Sequence, residues 1–400
     1  MILKCRICNK KLKKIINFNK ISLVGNFNSS RKKEKKYPIS LNFCTKCYHV
    51  QIGEIISSDK LFKNYLWETS ISKTNLELFK DLIKKTRKKI SNKNKVLEIA
   101  SNDGSFLEFL KKKYKCTLVG VDPAKNLAKK LSGIKIIRNY YDHKLSKTLN
   151  KKMGKFDFIF ARNVIAHVSK PNTIFRGISE NLNFNGIAIL EFPHLKPIIK
   201  KKQYDNIFHE HRGYHSLKSI LDLCKKNNLY LIEAEEIESQ GGSLRCQISK
   251  NKNLKIGKNV NKILTTEVKN HLFNKKKLMS FAKKITDHQN KLQSFLNSLK
   301  KKGKKISIYG ASGKGQALMQ FCNINNKLID YVFDKSKLKI NKYTPGTNIK
   351  ILHPKFISKS KIDYILLLTW NLKKEIMKQE KKFLQEGGKI ILPFPQPHTI

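Results

Sequence analysis

The sequence predicts an α/β protein: a doubly wound, Rossmann-like parallel sheet, preceded by a small cysteine-built domain and followed by a second, smaller Rossmann-like unit. Three observations predict it. Two C-x-x-C pairs stand near the start, Cys5 with Cys8 and Cys44 with Cys47. From about residue 66, short apolar runs alternate with helix-spaced stretches, the pattern of βαβ units. After a lysine-rich helical stretch at about 255–300, the strand and turn signals resume. A chain of 400 residues can hold two or three domains with cores of their own, and the pattern shifts place them at 1–65, 66–250 and 251–400.

The cysteine pairs, about 35 residues apart, read as a four-thiolate zinc site. The N-terminal "MILKCRICNKK" lacks the apolar region of a signal peptide, and no run of about 18 apolar residues occurs, so a cytoplasmic, membrane-free protein is expected and disulfides are not. A redox C-x-x-C is disfavoured by the second pair. Four thiolates leave no open coordination position, so the metal would be structural, holding together a domain too small for an ample core. Cys116, Cys224, Cys246 and Cys322 stand alone and read as buried thiols.

The central domain opens with the amphipathic "LELFKDLIKKTRKKI". Strand, tight loop and helix follow in "KVLEIASNDGSFLEFLKKKY", then the apolar runs "CTLVGVDP", "IKIIRNYYD", "FDFIFARNVIAHV" and "GIAILEFPH". Strands alternating with helices put ligands at the carboxyl ends of the strands. "LMSFAKKITDHQNKLQSFLNSL" predicts a long helix, and "KISIYGASGKGQALMQF", "IDYVFDKS", "IDYILLLTW" and "GGKIILPFP" form the last unit.

A net charge of +54 raises a nucleic-acid role. Only eight of the 83 basic residues are arginine, and the lysines are spread along the whole chain, which speaks against one phosphate-binding face. Lys, Asn and Ile share A/T-rich codons, and lysine filling solvated faces explains the excess. Some attraction to anionic partners follows regardless.

Chemistry collects at the strand ends. Glu98 closes a strand, the loop A-S-N-D-G brings Ala100, Asn102 and Gly104, and Asp122 closes the next strand, 24 residues after Glu98. A tight loop lets backbone approach a ligand, and the second carboxylate can accept both ribose hydroxyls of a nucleoside. The loop departs from the G-x-G-x-x-G of nicotinamide folds and lies closer to the E-x-G-x-x-x-G motif of class I S-adenosylmethionine (SAM) methyltransferases, with Ala100 where glycine is usual. Asn163, after the strand "FDFIFAR", joins this cofactor set. The stretch "FHEHRGYHSL" (208–217) crowds three histidines and a glutamate. It is not the H-E-x-x-H zinc helix, because position 213 is Gly213. Tyr214 and His215 read as packing.

The ordered set "VLEIASNDGSFL", "NVIAHV", "EFPH", "FHEH", "GGSLR" and "YGASGKG" behind the two C-x-x-C pairs resembles the sugar C-methyltransferases that act on nucleotide-linked 4-keto-deoxysugars, over nearly the whole chain. The resemblance implies a zinc domain, a SAM domain, a C-terminal Rossmann-like substrate domain, and methylation of C3 through an enolate. It implies His211 as base; beside it Glu210 reads as the group that orients it or raises its basicity and His167, just past a strand end, as partner of the enolate oxygen, with histidines that merely cap a loop as the plain alternative. The choice of His211 over His209 rests on the resemblance alone. Phe208 stands where the family usually has tyrosine, as does Trp67 of "NYLWETS"; both, with His209, are expected at the substrate. Arg245 of "GGSLR" reads as a phosphate partner or an ordinary surface arginine. Gly310 and Lys314 of "YGASGKG" read as a diphosphate cradle or a plain strand-to-helix turn. Two other readings stay open: a SAM-dependent O- or N-methyltransferase, and a zinc-containing nucleic-acid-binding protein. The oligomeric state is not legible.

Overall fold

The structure, a computed structural model, describes residues 3–71, 74–127 and 131–400. Antiparallel strands Leu12–Ser22, Lys36–Cys44 and Val50–Ile52 form the N-terminal sheet, and a fourth strand, Gly213–Tyr214, joins it from the middle of the chain. Val50 pairs with Tyr214 and Gln51 with Gly213. The residues just after the H-E-H motif are therefore part of the cysteine domain's sheet.

The central sheet has seven strands in the order Tyr230–Ile237, Ser243–Ser249, Leu182–Pro193, Phe156–Arg162, Lys95–Ile99, Thr117–Val121, Lys135–Ile137. Val96, Leu97, Phe158, Ile159, Phe160 and Ala161 are fully buried. Helices cover both faces, so these strands read as unbroken apolar runs rather than alternating ones. The sheet departs from the all-parallel expectation at one edge. Ser243–Ser249 runs antiparallel to both neighbours, because the Gly241–Gly242 turn before it is too short for a crossover helix and makes a hairpin. Helix Pro171–Asn181 starts with proline at its first turn, and Leu217–Lys226 with a Ser216–Ser219 capping box.

Helix Lys275–Lys301 buries Leu278, Phe281, Ile285, His288, Leu292, Leu296 and Leu299, a stripe at spacings of three and four. It lies against the third sheet, whose central strands Val332–Phe333, Ile306–Tyr309, Tyr364–Leu367 and Lys389–Leu392 run parallel. One core cluster runs from Ile39 and Leu41 of the N-terminal sheet through Phe281 and Ile285 to Ile306 and Leu366, so the domains are packed together rather than strung out. Polar groups bridge them too: the Tyr204 hydroxyl lies 2.9 Å from His288 Nδ1, and His288 Nε2 lies 2.6 Å from the Pro393 carbonyl. Among the described residues no helix is long and apolar enough to cross a membrane.

Candidate active site

The four sulfurs of Cys5, Cys8, Cys44 and Cys47 lie within 4.8 Å of one another. Cys5 to Cys47 and Cys8 to Cys44 are each 3.4 Å. Ligands about 2.3 Å from a tetrahedral zinc are separated by nearly 4 Å, so the cluster has the donor type and spacing the ion requires. Burial and neighbouring sulfurs push the Cys44 thiol up, and a bound cation would supply the charge that makes four thiolates compatible.

At the carboxyl end of the central sheet, Ala100, Asn102, Gly104 and Asn163 all have positive φ, between 53° and 78°. The chain thus makes a run of sharp left-handed turns there, two of them on side-chain-poor residues. Asp122 accepts from the Asn102 and Ala124 amides, each at 2.8 Å, and each carboxylate oxygen keeps a second lone pair. Glu98 is held by Arg162 at 2.6 Å, yet burial outweighs that cation and pushes the carboxyl up to about 7. Among the described residues Glu98 Oε2 and Asn163 Oδ1 are buried without a partner, as a polar ligand would leave them before it binds. Segment 67–70 is laced onto this loop. Asn102 donates to the Trp67 carbonyl at 2.9 Å and accepts from the Thr69 amide at 3.0 Å, while Asp103 accepts from the Ser70 amide at 2.9 Å. Trp67 thus meets the cofactor loop through its backbone.

His211 is buried, and its Nδ1 lies 2.8 Å from the Asn206 carbonyl. A carbonyl only accepts, so Nδ1 carries the proton and Nε2 is bare. Phe208 lies against the ring with centroids 4.1 Å apart, and His167 meets it edge-on at 4.8 Å. Burial, His167 and Lys314 hold the His211 pKa well below its usual value, and burial with Arg212 lowers His167 to about 4. The His167 Nδ1 is buried without a partner among the described residues. Burial raises the Glu210 carboxyl to about 7 against the pull of Tyr65 and Arg212.

The C-terminal unit closes the site. Lys314 is buried, donates to the Gln240 carbonyl at 2.7 Å, and is lowered to about 8 by burial against the pull of Asp205. Trp370 Nε1 donates to Asp205 at 2.8 Å, and its ring fills the space a Cβ on Gly241 would occupy, 2.3 Å away. Phe208 lies 3.4 Å from where a Cβ on Gly313 would be, so it spans from His211 to the "YGASGKG" turn.

Three expected contacts are corrected. Arg245 is neither a phosphate partner nor a surface arginine: it is buried among Glu191 at 2.6 Å, Asp81 at 2.8 Å and Glu235 at 2.5 Å. His209 Nε2 is taken by the Pro38 carbonyl at 3.0 Å. Gly310 is small because a Cβ would meet the Thr369 side chain at 2.4 Å, and the next amide, Ala311, is taken by Asp334 at 2.7 Å. Tyr65, Asp205, Arg212 and Trp370 were not singled out by the sequence. Tyr65 lay inside the quoted "NYLWETS" and Arg212 directly follows H-E-H, but Asp205 carries no local signal.

Comparison with known proteins finds matches in each part of the chain. Residues 5–62 match a zinc-binding domain family, 72–234 a methyltransferase domain family, and 238–395 the family described as C-methyltransferase C-terminal domain. The chain is 27% identical to C-methyltransferase NovU from Streptomyces niveus, over 99% of this chain and 96% of that one. Solved structures of SAM-dependent methyltransferases from Anabaena variabilis (12% identity, TM-score 0.36, 48% of this chain and 88% of that one) and Mesorhizobium loti (9%, 0.34, 45% and 99%) are also similar.

Proposed function

From the premise that the chain is a SAM-dependent C-methyltransferase, homologous to NovU and carrying a zinc-binding domain, we propose that its acceptor is C3 of a nucleotide-diphosphate 4-keto-deoxysugar. The product would be a branched deoxysugar for a surface glycan or natural product. The observation that carries this is the bare Nε2 of His211, set in a buried niche beside His167 and Lys314. Carbon becomes a nucleophile only after losing a proton, and a ketone next door acidifies that proton.

SAM, when bound, supplies an electrophilic methyl group on a sulfonium. Glu98, Asn102, Asp122 and Asn163 are the residues that would hold it. His211 takes the proton on Nε2, and the Asn206 carbonyl stabilises the imidazolium through Nδ1–H. The depressed pKa keeps the base unprotonated at neutral pH, at some cost in basicity. Lys314, whose charge already reaches the His211 ring, offsets enolate charge. His167, whose Nδ1 is buried without a partner among the described residues, bonds the substrate and orients the sugar. Phe208 and the Gly313 turn wall off water beside the base. A 4-ketone acidifies C5 as well as C3, so the test must report position.

The protein is incubated in D2O with a thymidine-diphosphate 4-keto-2,6-dideoxysugar, without SAM, and the sugar is followed by NMR. Deuterium at C3, and a single methyl gain there once SAM is added, is the expected result. Deuterium at C5 would move the site of methylation. Methyl gain on oxygen or nitrogen without exchange would overturn the carbon reading.

A further inference from the structure

Arg6 stands between two of the metal-site cysteines and yet reaches the segment that carries the proposed base. Its amide donates to Gln51 Oε1 at 2.8 Å. Its guanidinium donates through Nη1 to the Arg212 carbonyl, and through Nη2 to the carbonyls of Ile52 at 2.9 Å and Glu54 at 3.4 Å. The Ile52 amide meets the same Arg212 carbonyl at 3.3 Å, and the strand pairs Val50–Tyr214 and Gln51–Gly213 continue from it. On its other side the Arg212 amide donates to the Ala166 carbonyl at 2.7 Å, next to His167. The residue after His211 is thus pinned at both ends: its N–H to the loop bearing His167, its C=O to the cysteine knuckle.

We propose that Arg6 is a positioning residue for the reaction: the knuckle residue transmits the rigidity of the metal site to the Arg212 carbonyl and so fixes the angle of the His211 imidazole. This rests on His211 being the base. The pinning is directional. Arg6 has a planar donor fork that meets three carbonyls at once, and a lysine ammonium can keep one or two of them only loosely. A misplacement of about 1 Å at a reacting group can cost on the order of a hundredfold in rate. Arg6 makes no contact with the cofactor loop at Glu98–Gly104 among the bonds above, so cofactor affinity should not follow its loss.

Arg6→Gln, Arg6→Lys and His211→Asn are compared as full-length, zinc-loaded chains with the same thymidine-diphosphate sugar and SAM. The expected result for Arg6→Gln is a kcat at least about tenfold lower, with zinc content and SAM affinity within about twofold of native. Amide deuterium uptake should be faster in the peptide spanning 206–216, with Arg6→Lys intermediate in both. Native kcat and native amide protection in Arg6→Gln overturn the proposal. If Arg6→Gln does not fold or loses zinc, Arg6→Lys decides by the same two readouts. A dead His211→Asn beside an Arg6→Gln of native kcat defeats this proposal alone, whereas a His211→Asn that still exchanges the sugar proton removes the base and this proposal with it. Should the probe sugar not react, unchanged protection at 206–216 in Arg6→Gln is by itself enough to overturn it.

Discussion

His211 Nδ1 lies 2.8 Å from the carbonyl oxygen of Asn206, and this contact decides which nitrogen of the ring is left for chemistry. His167 meets this ring edge-on, and its own Nδ1 is buried without a partner among the described residues. Two neutral imidazoles can share a niche at 4.8 Å because burial keeps both uncharged.

His211→Asn removes the proton acceptor while keeping a polar group near Asn206. Proton exchange at the sugar carbon should fall by about 10²- to 10⁴-fold, the usual worth of a general base, with SAM affinity unchanged. NMR of deuterium wash-in and calorimetric SAM binding measure the two sides.

Glu210 is a pH lever on stability. Its folded pKa, about 7, exceeds the ordinary 4.5, so between those values the folded chain binds more protons than the unfolded one. Stability from this group is therefore greatest at low pH and declines as pH rises through the window. Glu210→Gln should remove that decline, gaining up to about 3 kcal/mol relative to native on going from pH 5 to pH 8. Urea unfolding at both pH values gives the difference, and equal effects at both would contradict the buried-carboxyl account.

Zinc removal should unravel more than the knuckle. Chelation, or Cys44→Ser, is expected to lower the thermal midpoint and to loosen the peptide 206–216, because Gly213–Tyr214 completes the sheet that the cysteines organise. Calorimetry and amide exchange report each, and a protected 206–216 peptide in the zinc-free chain would show the sheet stands without the metal.

Ala100→Gly tests backbone strain. Ala100 sits at φ 57°, which costs an L-residue about 1–2 kcal/mol, while glycine gives back roughly 0.5–1 kcal/mol through its freer unfolded chain. A net gain of about 0.5–1 kcal/mol in unfolding free energy is expected, with SAM affinity equal or better.

What was readable in the sequence was whatever chemistry is local. The zinc ligands came from two knuckles of fixed spacing, and the proposed cofactor loop rests on a strand, a turn and the next strand's Asp122. Proposing His211 as the base needs the whole ordered set of motifs, since nothing within 208–217 separates it from His209; in the structure His209 bonds Pro38, 171 residues earlier. Arg245 was misread for a related reason. Two of its carboxylates, Asp81 and Glu191, lie 164 and 54 residues away, and ion pairs closed by tertiary packing leave no trace in the neighbouring sequence. Gly310 looked like part of a ligand cradle, but the neighbour that a Cβ there would meet is the Thr369 side chain.

The pairing of Val50 with Tyr214 also orders events at the ribosome. The N-terminal sheet keeps an open edge until a strand 164 residues downstream has been made, an interval of roughly 8–30 s at 5–20 residues per second. During that time the backbone of Val50–Ile52 is a docking edge for any other extended chain. Newly made protein is therefore most exposed to mispairing before residue 214 emerges, so slowing translation upstream of that point should cost more soluble product than slowing it afterwards.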